Sequence, residues 1–175
     1  SRIASNYTKR NSAGGGGVYC YGFRKQAALW MEDSAVIEKN GDYGVYQRRD
    51  DYPVNGGIKV TLTENAKIEN HKELDVYLND AVSELHLKEH SSVGEENKSL
   101  DKDSIQLNCP LYLEGTATVN GMIYLKNKDM PIVMTKLVEE GEADGKYRLH
   151  LAEGFVGQEV VIPQSEDTRY PEEAE

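Results

Sequence analysis

The amino-acid sequence predicts an all-β chain that folds as a right-handed, single-stranded parallel β-helix. Three observations predict it: apolar and polar residues alternate with a period of two, the alternating segment occurs four times, and a short second strand follows each copy. A repeat of this kind is typical of a solenoid, in which each repeat forms one coil and stacks on its neighbours.

The first strand of the repeat carries large apolar residues at its first, third and ninth places and Ala or Ser at the seventh. The four copies are Leu29, Met31, Ala35 and Ile37; Val60, Leu62, Ala66 and Ile68; Leu85, Leu87, Ser91 and Val93; and Leu111, Leu113, Ala117 and Val119. Even spacing puts these residues on one face of a strand, whereas a helix repeats every 3.6 residues. The copies start at residues 29, 60, 85 and 111, so the repeats are 31, 25 and 26 residues long, enough for one coil. The places between the apolar ones are expected to face outward; they hold Trp30, Thr61, His86 and Tyr112, then Glu32, Thr63, Lys88 and Glu114.

The second strand of each coil contains a tyrosine next to Val or Ile. These strands are centred on Tyr19, Tyr46, Tyr77 and Tyr124. In the third coil Ile105-Gln106-Leu107 takes this place after a polar insertion at 95–104, which is expected to project as a loop.

The four tyrosines are the candidate ligand-binding residues. Because stacked coils lie about 4.8 Å apart, outward rings would form a ladder that Gln106 interrupts. Such a ladder can bind a sugar or a protein through its apolar ring faces and hydroxyl tips. The simpler alternative is that the rings stack on one another and stabilise the solenoid.

Three regions are expected along the chain. Residues 1–130 form the coils, 131–162 form an antiparallel, hairpin-like cap around the polar turn at 139–145, and the acidic tail at 163–175 is disordered. Ile3 and Asn6 match Ile37 and Asn40, so the chain opens near the end of a coil, and we expect further coils of the parent protein before Ser1. Asn70 and Asn120 also follow the last apolar residue of a coil, where Asn side chains often bind turn backbones.

The composition argues against several partners. Lys and Arg number 20 and Asp and Glu number 30, a net charge of −10, so nucleic acid is not an expected partner. No run approaches the roughly 18 apolar residues of a membrane span. Cys20 and Cys109 are too few for a disulfide framework, and we expect two inert thiols rather than a bridge between them.

The segment from Asn11 to Tyr19, the Ile-x-x-Asn coil endings and the run Asp75-Val76-Tyr77-Leu78 resemble the right-handed β-helix repeats of bacterial cell-surface proteins, in particular adhesin-like passenger regions of the polymorphic outer-membrane type. The segment 154–158 also resembles the closing part of such arrays. The Phe-x-x-Asn motif of that type is absent here, because Ile stands in place of Phe. The resemblance implies a pectin-lyase-like solenoid, extracellular display, and adhesion or scaffolding, with no catalytic residues.

The sequence offers no catalytic, metal or cofactor site that we would assign. His86 and His90 lie near each other, but no carboxylate or cysteine is spaced to complete a metal site. The acidic residues Glu95, Glu96, Asp101 and Asp103 lack the spacing of a calcium loop, and 48–51 is a self-compensating charged loop. No outward position stacks Asp with Lys or Arg in adjacent coils, as the groove of a carbohydrate-cleaving β-helix would require.

We therefore expect a non-catalytic structural or adhesion module at the bacterial cell surface, binding a host or bacterial glycan, a surface protein, or nothing specific. Two alternatives stay open: a fragment of a β-helical polysaccharide lyase or hydrolase, and a polymerising cytoskeletal β-helix that stacks through its open end.

Overall fold

The chain is built from three parallel sheets in the part that the computed structural model describes, which comprises residues 1–6, 16–20, 25–47, 56–96, 103–125, 132–135, 148–151 and 160–161. Sheet 1 contains β1 (Arg2–Ala4), β4 (Val36–Glu38), β7 (Lys67–Glu69), β10 (Ser92–Val93) and β13 (Thr118–Val119). Sheet 2 contains β2 (Gly16–Cys20), β5 (Tyr43–Gln47), β8 (Leu74–Leu78), β11 (Asp103–Leu107), β14 (Met122–Leu125) and β16 (Arg148–Leu151). Sheet 3 contains β3 (Ala27–Met31), β6 (Ile58–Leu62), β9 (Glu84–Leu87), β12 (Leu111–Glu114), β15 (Ile132–Thr135) and β17 (Val160–Val161).

From β1 to β15 successive strands visit the three sheets in rotation, so that each circuit of the chain adds one strand to each sheet. The described strands that follow, β16 and β17, extend sheets 2 and 3. Neighbouring strands within every sheet run parallel. The predicted parallel β-solenoid is therefore confirmed. Crossovers between parallel strands are right-handed in about 98% of proteins, and the right-handed sense of this coil stays a prediction.

The apolar residues of the repeat form vertical columns inside the coils. Met31 is in register with Leu62, Leu62 with Leu87, and Leu87 with Leu113. Leu62 and Leu87 are fully buried, and Leu113 is 1% exposed. We call this set the aliphatic column. Since burying one such side chain contributes about 1.5 to 3 kcal/mol, the column is a main source of stability.

The small seventh residue of the repeat is explained by a turn between sheet 3 and sheet 1. The residue two places before it adopts a positive φ in each of the four coils, at Asp33, Glu64, Glu89 and Gly115. Directly after the turn, the backbone N–H of the small residue donates to the carbonyl three residues earlier. Ala66, Ser91 and Ala117 are buried at this corner, and Ala35 is partly buried. Of the four positive-φ positions only Gly115 holds the residue that adopts this conformation without steric cost.

The expected antiparallel cap is wrong for the strands of 131–162 that the structure describes. β15 pairs parallel with β12, β16 parallel with β14, and β17 parallel with β15. These strands continue sheets 2 and 3, because Ile132 and Met134 take the next places above Leu111 and Leu113. The polar turn at 139–145, the tail at 163–175 and the charged loop at 48–51 lie outside the described residues.

Both cysteines are free thiols, as expected. Burial raises the pKa of the Cys20 thiol to about 11 and that of the buried Cys109 thiol further above its ordinary value. Both side chains are therefore protonated at neutral pH and are poor nucleophiles.

Candidate ligand-binding faces

The four predicted tyrosines lie in one column on the outer face of sheet 2. Tyr19 is in register with Tyr46, Tyr46 with Tyr77, and Tyr124 follows after Gln106. The predicted placement and the predicted interruption at Gln106 are confirmed. We call Tyr19, Tyr46, Tyr77 and Tyr124 the tyrosine column.

The rings of this column pack on one another. The Tyr46 and Tyr77 rings are stacked, with centroids 5.1 Å apart and an interplanar angle of 9°, and Tyr19 lies 5.9 Å from Tyr46 at 30°. Tyr43 joins the group, with its ring 4.8 Å from Tyr46 and 5.8 Å from Tyr77. The sequence pattern missed Tyr43, because its place in the strand gave no sign that its ring would join this face. Burial, followed by the neighbouring tyrosine and carboxylate groups, raises the pKa of Tyr43.

This packing decides what the tyrosine column offers to a ligand. The facing sides of Tyr46 and Tyr77 cover each other, so these two rings present mainly their edges and hydroxyl groups. Tyr19 is 49% exposed and keeps the largest accessible ring surface of the three. The geometry therefore supports a stabilising role for the stacked rings, and ligand binding by the column stays a prediction.

The outer face of sheet 3 carries a second column with aromatic side chains. Trp30, Thr61, His86 and Tyr112 are in register on four successive strands. The His86 and Tyr112 rings stack at 4.3 Å with an interplanar angle of 8°. Trp30 is 60% exposed, whereas Thr61 beside it is 2% exposed. We call these four residues the Trp30 row. The repeat predicted their outward orientation but assigned them no role.

Charged side chains flank the Trp30 row in pairs that join adjacent coils. The Lys59 ammonium lies 3.1 Å from Oε2 of Glu84, and the Lys88 ammonium lies 3.0 Å from Oε2 of Glu114. The sequence analysis considered only Asp next to Lys or Arg in adjacent coils, so it did not predict these pairs, whose carboxylates belong to glutamates. The register of Lys59 with Glu84 was the signal that would have found the first pair.

Glu84 also contacts the aromatic row. Its Oε2 lies 2.7 Å from Nε2 of His86. The hydrogen bond with His86, together with Lys59, lowers the pKa of Glu84. Burial lowers the pKa of His86, although Glu84 acts in the opposite direction. Because the pKa of His86 lies below its ordinary value, the imidazole is neutral at pH 7, and the Glu84 carboxylate is ionised.

A hydrogen-bonded set of polar side chains lies inside the solenoid. Asn40, which is 2% exposed, accepts hydrogen bonds at Oδ1 from the backbone and side chain of Asn6. Nδ2 of Asn40 donates to Nε2 of His71 (3.1 Å), and Nδ1 of His71 donates to Oδ1 of Asp75 (2.8 Å). We call Asn6, Asn40, His71 and Asp75 the polar column. Of the asparagines predicted to bind turn backbones, Asn40 donates through Nδ2 to the carbonyl oxygen of Ile3, and Asn120 donates to that of Gly94. His71 takes the place next to Asn40 in the polar column.

The polar column depends on a close approach at Gly44. A Cβ atom there would lie 2.5 Å from the carbonyl oxygen of Asp75 and 2.7 Å from Cε1 of His71. Any side chain at this position would therefore displace backbone or the imidazole. Since the side chains of His71 and Asp75 are fully buried, no ligand reaches them, and the pair is a structural element.

The described residues contain no group of three or more His, Cys, Asp or Glu side chains arranged to hold a metal ion. In that part of the chain there is also no helix long and apolar enough to cross a membrane. Comparisons with protein-family models, with curated proteins and with solved structures find no match.

Proposed function

We propose that this chain is a non-catalytic module of a bacterial cell-surface protein, where its solenoid acts as a rigid support and presents its lateral faces for adhesion. The observation that carries the proposal is the alignment of aromatic side chains in two columns on two outer faces. Each column is fixed by strand register and ring packing, and each ends in an exposed ring, Tyr19 at 49% and Trp30 at 60%.

Side chains that are already held in place favour a role in ligand binding. A ligand loses affinity when the side chains that contact it must be immobilised on binding, at about 0.5 to 1.5 kcal/mol for each flexible side chain. Tyr46, Tyr77, His86 and Tyr112 are already held by their neighbours. The ligand class that suits such faces is a host or bacterial glycan, or a surface protein, in the extracellular space.

The test is a binding screen of the purified chain against an array of host and bacterial glycans and a panel of surface proteins. We expect saturable binding that Tyr19→Ala or Trp30→Ala reduces at least fivefold. Val82→Ala is the matched control, because Val82 is 54% exposed and belongs to neither column. Failure to bind any member of either set, or binding that neither Tyr19→Ala nor Trp30→Ala weakens, would rule out the proposal.

A fragment of a polysaccharide-degrading enzyme is the second candidate, and the cluster of Lys59, Glu84 and His86 favours it. A neutral imidazole and an ionised carboxylate on the outer face of a sheet are groups that proton transfer uses. Release of reducing ends or unsaturated sugars from a polysaccharide, abolished by Glu84→Gln, would support this candidate over the adhesion module. Glycan binding without cleavage would support the adhesion module.

A further inference from the structure

The outer face of sheet 3 differs from that of sheet 2 in how its aromatic groups are anchored. The indole Nε1 of Trp30 donates to Oε2 of Glu32 at 3.0 Å. The His86 ring is held between the carboxylate of Glu84 and the ring of Tyr112. Thus the most exposed large apolar side chain of the described residues is held in a fixed orientation.

The charges of this face compensate one another. Lys59 pairs with Glu84 and Lys88 with Glu114, and all four side chains stay partly exposed. The whole chain carries a net charge of −10, which repels a polyanion. A polycation would have to compete with lysines that already neutralise two of the carboxylates. An uncharged ligand meets neither penalty.

The shape of the face selects an extended ligand. Trp30 and Tyr112 lie on the first and last of four neighbouring strands, and the three strand spacings between them span about 14 Å. Small ligands bind preferentially in concave pockets, whereas a sheet face is open along the solenoid axis. Pyranose rings in an extended chain repeat at a length close to one strand spacing, so successive sugars can follow the row.

The chemistry of the row matches sugars better than a protein surface. A sugar ring has an apolar face that packs on an indole and a rim of hydroxyl groups. The carboxylates of Glu32 and Glu84 accept hydrogen bonds from hydroxyls, while the lysines donate to them. A protein interface requires a larger apolar centre, typically within about 1,200 to 2,000 Å² of buried surface. On β3, β6, β9 and β12, Trp30 is the one large hydrophobic side chain that is exposed.

We infer that the Trp30 row, flanked by Glu32 and the two Lys–Glu pairs, is a binding site for an extended, uncharged glycan. This inference rests on the proposed function and names the ligand class and the face. Glu84 and His86 act in it as hydrogen-bonding groups for sugar hydroxyls, and Trp30 supplies the apolar platform.

The chain offers a direct spectroscopic test, because Trp30 is its one tryptophan. The full chain is titrated with soluble xyloglucan and mixed-linkage β-glucan as uncharged probes, and with alginate and chitosan as charged ones. We expect an uncharged polymer to shield Trp30, with at least a twofold drop in the acrylamide quenching constant, and the charged polymers to leave quenching unchanged.

Affinity electrophoresis or calorimetry gives the binding constants of variants with the same uncharged polymer. Trp30→Ala is expected to weaken binding at least tenfold, Trp30→Phe less, and the control Val82→Ala, which is exposed and belongs to neither column, not at all. Circular dichroism verifies that each variant keeps its strands; Trp30 is exposed, so its removal leaves the core intact.

Binding of alginate or chitosan in preference to the uncharged polymers would overturn the ligand class. Loss of glycan binding in Tyr19→Ala but not in Trp30→Ala would overturn the site and leave the proposed adhesion function standing. An absence of binding to all four polymers would overturn the inference alone if the screen finds a protein or charged-glycan partner. It would overturn both if the screen finds none.

Discussion

The interior of the solenoid is filled in two ways. The aliphatic column, Met31, Leu62, Leu87 and Leu113, repeats one kind of side chain in successive coils, whereas the polar column changes from Asn6 and Asn40 to His71 and Asp75. The aliphatic column gains stability from each buried apolar surface separately. The polar column gains it only while every donor and acceptor is paired, because a buried polar group without a partner is costly.

The strongest test of this difference is removal of Asp75. In Asp75→Ala the buried Nδ1–H and the backbone N–H of His71 both lose their acceptor, and each buried donor left unpaired costs about 1 to 3 kcal/mol. Urea unfolding followed by circular dichroism measures the change. Asp75→Asn is the matched control, because it keeps the shape and an acceptor oxygen and should cost less. A loss below about 1 kcal/mol for Asp75→Ala would show that the polar column is not cooperative.

The aliphatic column should respond to volume rather than to pairing. Leu87→Ala removes a fully buried side chain between Leu62 and Leu113 and should cost about 2 to 5 kcal/mol. Leu87→Met, which conserves volume, should cost less than about 1.5 kcal/mol. The same unfolding assay applies, with Val82→Ala expected within about 0.5 kcal/mol of the parent. Equal losses for Leu87→Ala and Leu87→Met would argue against packing as the source of stability.

The sequence predicted the aliphatic column but not the polar one, for a physical reason. Alternation and repeat length depend on residues that stay alike from coil to coil, as Leu62 and Leu87 do. In the polar column the residue type changes at His71, which lies between β7 and β8, and its partner Asp75 follows four residues later on β8. The two residues are close in sequence, but alternation and repeat length do not show their contact, because neither residue recurs from coil to coil.

The same reasoning explains the error at the C-terminal end. Two apolar strands separated by a polar segment are typical of a hairpin, and β15 and β16 fit that description. A parallel solenoid with a long connection between two of its sheets shows the same local pattern of apolar and polar segments. What distinguishes them is register with earlier coils, where Ile132 and Leu149 match Leu111 and Ile123.

The candidate faces were predictable to the extent that they follow strand alternation. The four members of the tyrosine column were found because Tyr recurs beside Val or Ile. Tyr43 and the Lys59–Glu84 pair were not, since they depend on where strands begin. The repeat did place Lys88 and Glu114 at equivalent outward positions of adjacent coils, which was the signal for the second pair.

A smaller effect is expected from the stacked tyrosines, where the packing lies outside the core. A double-mutant cycle of Tyr46→Ala and Tyr77→Ala should give a coupling free energy of about 0.5 to 1.5 kcal/mol. Unfolding of the parent, both single variants and the double variant supplies the four values. The pair Tyr46 and Val82 is the control and should couple by less than about 0.5 kcal/mol, because Val82 is an exposed residue between β8 and β9, outside the tyrosine column. Additive losses for Tyr46 and Tyr77 would contradict a structural role for their stacking.

The smallest effect on stability is expected at Glu84 and His86, the partly exposed counterpart of the buried pair formed by Asp75 and His71. The Glu84 carboxylate pairs with Lys59 at the surface, where ion pairs contribute about 0 to 1 kcal/mol, so Glu84→Gln should change stability far less than Asp75→Ala. Its clearer signature is the titration of His86. Burial holds the pKa of His86 below its ordinary 6.5 while Glu84 raises it, so Glu84→Gln should lower that pKa further.

The pH dependence follows from the direction of that shift. Because His86 has a lower pKa in the folded chain than in the unfolded chain, the unfolded chain binds more protons at mildly acidic pH. The contribution of the neutral imidazole is complete above about pH 6.5 and is lost as the pH falls below that value. NMR titration of the imidazole resonances measures the pKa of His86 in the parent and in Glu84→Gln. Glu32→Gln, two coils away from His86, serves as the control. A rise in the pKa of His86 in Glu84→Gln would mean that the contact with Glu84 does not raise this pKa. The comparison of Glu84 and His86 with the buried pair Asp75 and His71 would then be wrong.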